Sequence, residues 1–378
     1  MMKIGILGAG PAGLYAAILI KQRFERAQIR IIEQNAQDAT FGFGIVLSDS
    51  ALNFLHKDDS QTADLIEPHM ETWSDIRMIH KDESIRIDGI GFSAIGRLEF
   101  LSLLRKRAGE LGVEPMYSTK VTSLDVFDDC QIVIAADGLN STVRSQSPKA
   151  FGERTEYLRN RFCWFGTWRP YDVLTQTFVE TQLGFFNAHH YRYSPERSTF
   201  IVECDEQTFL NYGFSEMPES QYRKICETVF AEALNGGTLI SNNSVWRQFP
   251  VLQNKRYFCG NRVLVGDALH SAHFSIGSGT RLAMEDVIAL VNALIESDFD
   301  YARGFVEYQR QRQPALDKLC TAALRSGQWY DRFGEHMALA PWEFAKSYVM
   351  RSARVDKRKL QQISPKFATE LSKRGIII

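Results

Sequence analysis

The chain is poor in the features that would announce a metal centre, a membrane span or a disulfide framework. Its six cysteines (Cys130, Cys163, Cys204, Cys226, Cys259 and Cys320) include no CxxC pair, and no His/Cys cluster stands at metal-ligand spacing. Scattered thiols of this kind point to a reduced, cytoplasmic protein without a metal site. No apolar run approaches the roughly 20 residues needed to cross a bilayer. No signal peptide is expected, because the first strand begins at residue 3. A formal net charge of −1 leaves no excess of either sign to draw the chain to nucleic acid or an anionic membrane. Repeats, low-complexity segments and an obvious linker are missing as well. What is left, at 378 residues with 44% hydrophobic and 24% charged, suits one large domain or two intertwined ones. Aromatic residues make up 12%, with 25 Phe, enough for an ordinary core and also for the lining of a flat aromatic ligand.

Against that background the N-terminus is specific. Lys3-Ile4-Gly5-Ile6-Leu7 runs into Gly8-Ala9-Gly10-Pro11-Ala12-Gly13, and Glu33 closes the apolar run Ile29-Arg30-Ile31-Ile32. The spacing predicts a strand, a glycine-rich turn, a helix from Leu14 to Arg26 and a second strand ending in an acid. Gly8 permits the tight turn, Gly10 lets backbone approach a pyrophosphate, and Gly13 lets the helix pack closely on the sheet. The helix N-terminus directs its N–H groups and its positive dipole end at the phosphates. Glu33 is placed to accept hydrogen bonds from ribose hydroxyls. The unit is expected to bind an adenine dinucleotide.

Further along, the Gly-punctuated loop Thr40-Phe41-Gly42-Phe43-Gly44 feeds a strand through Leu47. Alternation at Ile85-Arg86-Ile87 predicts a strand, and Arg97 opens an amphipathic helix over Leu98–Leu111, stopped by Gly112. The buried-type strand Cys130–Ala136 ends in Asp137-Gly138, and Arg262–Val265 ends in Gly266-Asp267. Between about Phe162 and Val245 the pattern becomes that of an antiparallel sheet: Phe162–Thr167, Gln176–Glu180, Gly184–His189 and Ser198–Glu203, followed by a helix over Gln221–Ala233. Helices are expected over Thr280–Glu296, Tyr301–Arg325 and Pro341–Arg351, with a basic, poorly patterned tail. The nucleotide fold is therefore discontinuous. That layout argues against an NAD-dependent dehydrogenase, whose nucleotide domain usually finishes as one block.

The order Gly8/Gly10/Gly13 with Glu33, then Asp137-Gly138, then Gly266-Asp267 resembles the class A flavoprotein monooxygenases, the para-hydroxybenzoate-hydroxylase-like superfamily. The stretch from Gly266 to Gly279 is similar to that family's second flavin motif, with Gly277 and Gly279 in register. The resemblance implies that Asp267 accepts from a ribityl hydroxyl and that the backbone from Gly277 to Thr280 faces the flavin pyrimidine edge. It implies that Asp137 serves the flavin and the nicotinamide donor, and that Arg97 contacts the flavin. Phe274 departs from the family, where a proline is usual. With Phe41–Gly44, Trp164–Thr167, Ala188–Tyr193 and Ser198–Glu203 it narrows the resemblance to one subgroup. That subgroup holds the monooxygenase part of salicylyl-CoA 5-hydroxylase, aminobenzoyl-CoA monooxygenase and the violacein-pathway tryptophan hydroxylase. The region of Trp329–Phe333 and Pro341–Phe344 is similar to the violacein enzyme's C-terminal part.

What the resemblance implies is an α/β fold with a discontinuous, Rossmann-like FAD-binding domain of GR2 type, an antiparallel β-sheet substrate domain and C-terminal helices. The expected division is 1–160 with 246–300 for FAD (including short inserted strands near 75–96), 161–245 for substrate and 301–378 for the helices. The activity implied is hydroxylation of an electron-rich ring (indole, aminobenzoyl or hydroxybenzoyl, free or linked to CoA or a carrier protein). FAD stays bound, NADH or NADPH visits as reductant, and O2 is activated as the flavin C4a-hydroperoxide. No second GxGxxG serves the nicotinamide, which suits transient binding. FAD is expected on Gly8, Gly10, Pro11, Ala12, Gly13, Glu33, Gly44, Arg97, Asp137, Gly266, Asp267, Gly277, Gly279 and Thr280. The substrate is expected on Trp164, Gly166, His189, Tyr191 and Phe274, with His189, His273 and Tyr191 as candidate catalytic groups. Arg154, Arg159, Arg161, Arg192 and Arg197 are candidates for a CoA phosphate surface. The CoA enzymes often carry a fused reductase domain, whereas 378 residues suggest a stand-alone, single-reaction hydroxylase, monomeric or homodimeric. A flavin-dependent halogenase would need a WxWxIP element, and Trp164 and Trp168 do not form one. A reductase or oxidase that never transfers oxygen, and a flavin-bearing interaction protein, stay open as alternatives.

Overall fold

The computed structural model describes residues 2–39, 42–48 and 50–377; Thr40 and Phe41 of the glycine-punctuated loop lie outside them. Lys3–Leu7 is a strand, Pro11–Arg23 a helix and Gln28–Ile32 the parallel second strand. Gly10 is the helix N-cap, and Pro11 takes the first helical position, where a missing N–H costs nothing. This helix is apolar all round because it is covered all round: Ala12 to Ile20 are buried between the sheet, Gly279–Glu296 and Arg97–Glu110. Each large apolar side chain so buried, Leu14 or Ile18 for example, contributes about 1.5–3 kcal/mol. The helix stops at Arg23, not Arg26, because Phe24 leaves helical backbone (φ −141°) and packs at a tilt against Phe299.

Five strands make the nucleotide sheet, in the order Phe258–Cys259, Arg262–Leu264, Ile132–Ala135, Lys3–Leu7, Gln28–Ile32. All pairings are parallel except the edge hairpin. The chain leaves this sheet and returns twice. Each return sets an aspartate, Asp137 or Asp267, just past a strand's carboxyl end, on the same rim as Gly8. Ligands of open parallel sheets bind at such a rim.

A second sheet has eight strands, ordered Leu239–Ile240, Glu153–Thr167, Arg197–Cys204, Gly184–Ser194, Leu174–Thr181, Ile76–His80, Glu83–Ile87, with Arg247–Asn254 pairing Glu153–Thr167 off that path. One pairing corrects the antiparallel expectation: Leu174–Thr181 runs parallel to Ile76–His80. The inserted strands near 75–96 are shared out. Ile76–His80 and Glu83–Ile87 extend this large sheet, whereas Phe92–Gly96 joins Gly44–Ser48 and Glu71–Trp73 in a three-stranded one. Alternation sorts the large sheet's faces. His190, Phe200, Phe165 and Phe186 pack into a core under the helix Glu219–Val229, and His189, Ile201 and Trp164 look the other way.

The long helix Tyr301–Tyr330 passes the expected end at Arg325. Ser326 and Gly327 are weak helix formers, yet a Cβ on Gly327 would come within 2.5 Å of Leu158, so glycine here permits close packing rather than ending the helix. The tail also needs correction. It holds two short helices, Lys357–Ile363 and Pro365–Lys373, whose Leu360, Phe367 and Leu371 are buried. Each is too short to show a helical period, and the basic residues on their outer sides hide the apolar ones. Among the described residues no helix is long and apolar enough to cross a membrane, and no group of three His, Cys, Asp or Glu could hold a metal.

Candidate functional site

A cleft of about 1270 Å³ runs from the rim of the nucleotide sheet to the face of the large sheet. At the first end, backbone shapes it. Gly8 has φ +100°, and a Cβ there would lie 2.3 Å from the carbonyl oxygen of Ala136; one on Gly13 would lie 1.9 Å from that of Gly8. A Cβ on Gly10 would meet nothing within 4 Å, so the space before the helix N-terminus is open. Gly8, Gly10, Pro11 and Ala12 line the cleft, and Gly13 sits behind them as the packing glycine. Glu33 also lines it, its carboxylate held by the N–H of Ala9 (2.9 Å) and of Asn35 (2.8 Å).

Midway, Gly44, Arg97, Asp137, Asp267, Gly277, Gly279 and Thr280 all reach the cleft. Asp137 accepts from the Thr142 N–H (2.6 Å), and burial raises its pKa against these hydrogen bonds. Enclosure by the fold raises the carboxyl pKa of Asp267, with His270 and Arg97 pulling the other way. Gly279 opens the helix Gly279–Glu296, and a Cβ on it would meet nothing within 4 Å. Two helix N-termini therefore face the cleft with open space before them, one near each end of a long anionic or electron-accepting ligand. The donor set and the open glycines fit a dinucleotide with a flavin at its far end.

Gly266 does not line the cleft. Its N–H donates to Asp286 Oδ2 (2.9 Å), as does His270 Nε2 (2.8 Å), and Arg312 Nε donates to Asp286 Oδ1 (2.7 Å). This buried cluster anchors the turn that presents Asp267. Burial draws the His270 pKa down, but the Asp286 carboxylate more than offsets that and holds it at about 10. Sequence reading missed Asp286 and Arg312; the available signal was an aspartate within the apolar helix Gly279–Glu296.

At the other end, side chains shape the cleft. Gln176, His189, Ile201 and Trp164 are successive register partners across four strands, one row on one face, and all line the cleft. Phe274 sits over them, its ring centroid 5.1 Å from His189 and 5.0 Å from Phe162, with Phe249 at 6.1 Å. Tyr191 lines the cleft too, but its hydroxyl donates to Gly44 O (3.1 Å), while Gly44 N donates to Thr199 Oγ1 (2.9 Å). Gly166 is outside the lining; a Cβ there would come within 2.6 Å of the Phe43 ring. These contacts clamp the loop before Gly44 onto the sheet.

His189 is fully engaged. Its Nδ1 is 2.9 Å from Gln176 Nε2, and its Nε2 is 3.1 Å from Glu203 Oε2. Gln176 Oε1 accepts from Tyr330, and Asn160 Nδ2 donates to Glu203 Oε1 (2.8 Å). Burial, aided by Arg351, lowers the His189 pKa to about 3, so the ring is neutral, with Nδ1 accepting from the amide and Nε2–H donating. His273 is also buried and neutral, pulled by burial to about 4; its Nδ1 meets Ser275 Oγ (2.7 Å) and it lies behind Phe274, off the cleft. Gln176, Ile201, Phe162 and Phe249 were missed by sequence reading, since register alone brings them beside His189.

The arginines considered for phosphate are not in the cleft lining. Arg154 pairs with Glu156, Arg161 with Glu206 and Arg192 with Glu71; Arg197 stacks on Trp168, and Arg159 also stands outside. The lining cations are Arg97, Arg105, Arg247, Arg351, Arg354 and Lys359.

A family model described as FAD binding domain matches residues 1–322. The chain belongs to that family, the class A FAD-dependent monooxygenases. This flavoprotein is 35% identical over 361 residues to a salicyloyl-CoA 5-hydroxylase of a Streptomyces species, covering 93% of this chain and 70% of that one. It is 31% identical to a 3-hydroxy-4-methyl-anthranilyl-[aryl-carrier protein] 5-monooxygenase of Streptosporangium sibiricum, covering 88% and 90%. It is 30% identical to protodeoxyviolaceinate monooxygenase of Chromobacterium violaceum, covering 93% and 94%. Among solved structures, 2-methyl-3-hydroxypyridine-5-carboxylic acid oxygenase superposes with a TM-score of 0.67 at 16% identity, covering 96% of each chain, a likeness of fold. The bound cofactor of the flavoprotein is FAD, used with NAD(P)H and O2.

Proposed function

We propose that this flavoprotein hydroxylates an electron-rich aromatic ring, amino- or hydroxybenzoyl or indole, lying on the row Gln176–His189–Ile201–Trp164 beneath Phe274. The observation that carries this reading is a single cleft joining a dinucleotide cradle to an aromatic-lined sheet face. Salicyloyl-CoA, a carrier-linked anthranilyl group and protodeoxyviolaceinate are the substrates named for its relatives. They support an aryl substrate here, either free or held as a thioester.

Gly8, Gly10, Pro11, Ala12 and Glu33 would hold the adenosine diphosphate part of FAD, with Gly13 keeping the cradle's shape. Gly44, Arg97, Asp137, Asp267, Gly277, Gly279 and Thr280 would hold the flavin part, with Gly266 anchoring the turn. Held by these residues, FAD would supply the redox chemistry, hydride acceptance from NAD(P)H and delivery of one oxygen atom of O2. The protein's own work is to position and to dry. The N-terminus of Gly279–Glu296 stabilises negative charge before it. Trp164, Phe162, Phe249 and Phe274 exclude water.

His189 is assigned a positioning role: both ring nitrogens are occupied, and it holds the Gln176 side chain. Tyr191 and His273 are assigned as braces, of the Gly44 strand and of the Phe274 turn. In the division we favour, 1–160 with 246–300 serves the cofactor, 161–245 supplies most of the substrate face and 301–378 closes the cleft. The test is product stoichiometry: hydroxylated product per NAD(P)H consumed, across free and thioester-linked amino- and hydroxybenzoates and indoles. Near-unit coupling with at least one aromatic is expected. Turnover that yields only peroxide whatever aromatic is present would leave an oxidase in its place.

A further inference from the structure

Part of the cleft wall is built by residues that neither the cradle nor the sheet row uses. Ile76 and Leu174 are buried there, Ile90 and Val355 are half-buried, and Arg354 and Lys359 are exposed at the rim. The wall thus grades from apolar to cationic. Residues 351–359, Arg351-Ser352-Ala353-Arg354-Val355-Asp356-Lys357-Arg358-Lys359, carry five basic residues against one acid. The acid, Asp356, accepts from the backbone N–H of Lys359 (2.8 Å). Arg351 is spent on Ser275 O (2.8 Å) and Ser326 Oγ (2.9 Å). The side chains of Arg354 and Lys359 have no hydrogen bond or ion pair to another described residue. Desolvation by the surrounding wall and the nearby Arg281 guanidinium both lower the Arg354 pKa.

The wall is also held in place. Asp88 accepts from the backbone N–H groups of Lys366 (3.1 Å) and Phe367 (2.9 Å), and its carbonyl accepts from Ser364 Oγ (2.6 Å). Trp342 donates to Glu83 (2.6 Å) and stacks on Phe367. The tail helices are therefore fixed to the turn at Asp88–Gly89, and the rim is organised before anything binds.

We infer that this wall binds a phosphopantetheine arm that carries the aromatic group as a thioester, the apolar stretch taking the arm and Arg354 with Lys359 taking its phosphate. The inference rests on the hydroxylase reading for what the arm presents. Its chemistry is shared by coenzyme A and by a carrier protein.

The FAD-loaded full chain is titrated by calorimetry with pantetheine, 4′-phosphopantetheine and coenzyme A, alone and as the Arg354→Ala/Lys359→Ala double variant. Phosphopantetheine is expected to bind about tenfold tighter than pantetheine, and the double variant is expected to lose that difference while retaining its FAD and its melting profile. Binding that does not depend on the phosphate overturns the inference, as does a double variant that weakens both ligands alike. An effect confined to the KM for NADPH overturns it too, by giving the rim to the nicotinamide donor. Coenzyme A binding more tightly than phosphopantetheine supports the site with a CoA source; equal binding supports it with a carrier source. Phosphate-dependent binding with no hydroxylation of any aromatic, free or thioester-linked, would sink the hydroxylase reading and leave the site standing.

Discussion

The two ends of the cleft are built on different principles. The cradle is made of backbone, and its key residues matter for the side chain they lack: Gly13 admits no Cβ, and Gly10 leaves the helix N-terminus bare. The sheet face is made of side chains, set in a row by register and held by a buried polar chain from Tyr330 through Gln176 and His189 to Glu203. A backbone site tolerates almost no substitution at its close contacts. A side-chain site can be retuned one residue at a time, which suits the end proposed to hold the aromatic substrate.

The largest expected effect lies beneath the cradle. Asp286→Ala strands the buried Arg312 and His270 charges and should cost about 3–5 kcal/mol, read as a fall in the thermal or urea midpoint with loss of FAD. Gly13→Ala should follow, at about 1–3 kcal/mol or more, because its Cβ would lie 1.9 Å from the Gly8 carbonyl oxygen. Gly10→Ala is the paired control: apo stability within about 0.5 kcal/mol of wild type, but weakened FAD retention by absorbance. If both alanines behaved alike, the distinction between packing glycine and open glycine would fail.

At the sheet face, His189→Gln should keep FAD and stability near wild type yet raise the peroxide fraction of turnover. With the His189 pKa at about 3, the pH profile of kcat/KM between pH 5 and 8 should keep its shape in this variant. Loss of an ionisation in that window would restore His189 as a proton acceptor.

The last effect concerns pH and the anchor. His270 is raised to about 10 in the fold from an ordinary value near 6.5, so its contribution is fully present below about pH 6.5 and is lost as pH rises through about 10. Melting temperature should fall over that range, and the fall should be shallower in His270→Gln.

How much of this was open to reading depends on the kind of signal. Gly8, Gly10, Gly13 and Glu33 lie within one βαβ unit, so local spacing alone pointed to a cradle, and the structure sets the two returning aspartates on the same rim. The alternation in His189-His190-Tyr191 showed that neighbours face opposite ways, but not which face meets the cleft. The tail read as a basic run because its two helices are each too short to display a period. Arg161 and Arg192 looked available for phosphate because their acidic partners, Glu206 and Glu71, are distant in sequence.

The sequence by itself determined the cofactor class, the discontinuous nucleotide fold and the family, because those depend on local backbone demands that glycine and a few acids meet at fixed spacing. Only the tertiary structure decided that His189 is a held neutral ring, that Asp286 and Arg312 anchor the turn presenting Asp267, and that Arg354 and Lys359 stand at the rim. Those outcomes depend on which strands pair and which helices cover them. Pairing and covering juxtapose residues far apart in the chain, where no spacing rule applies.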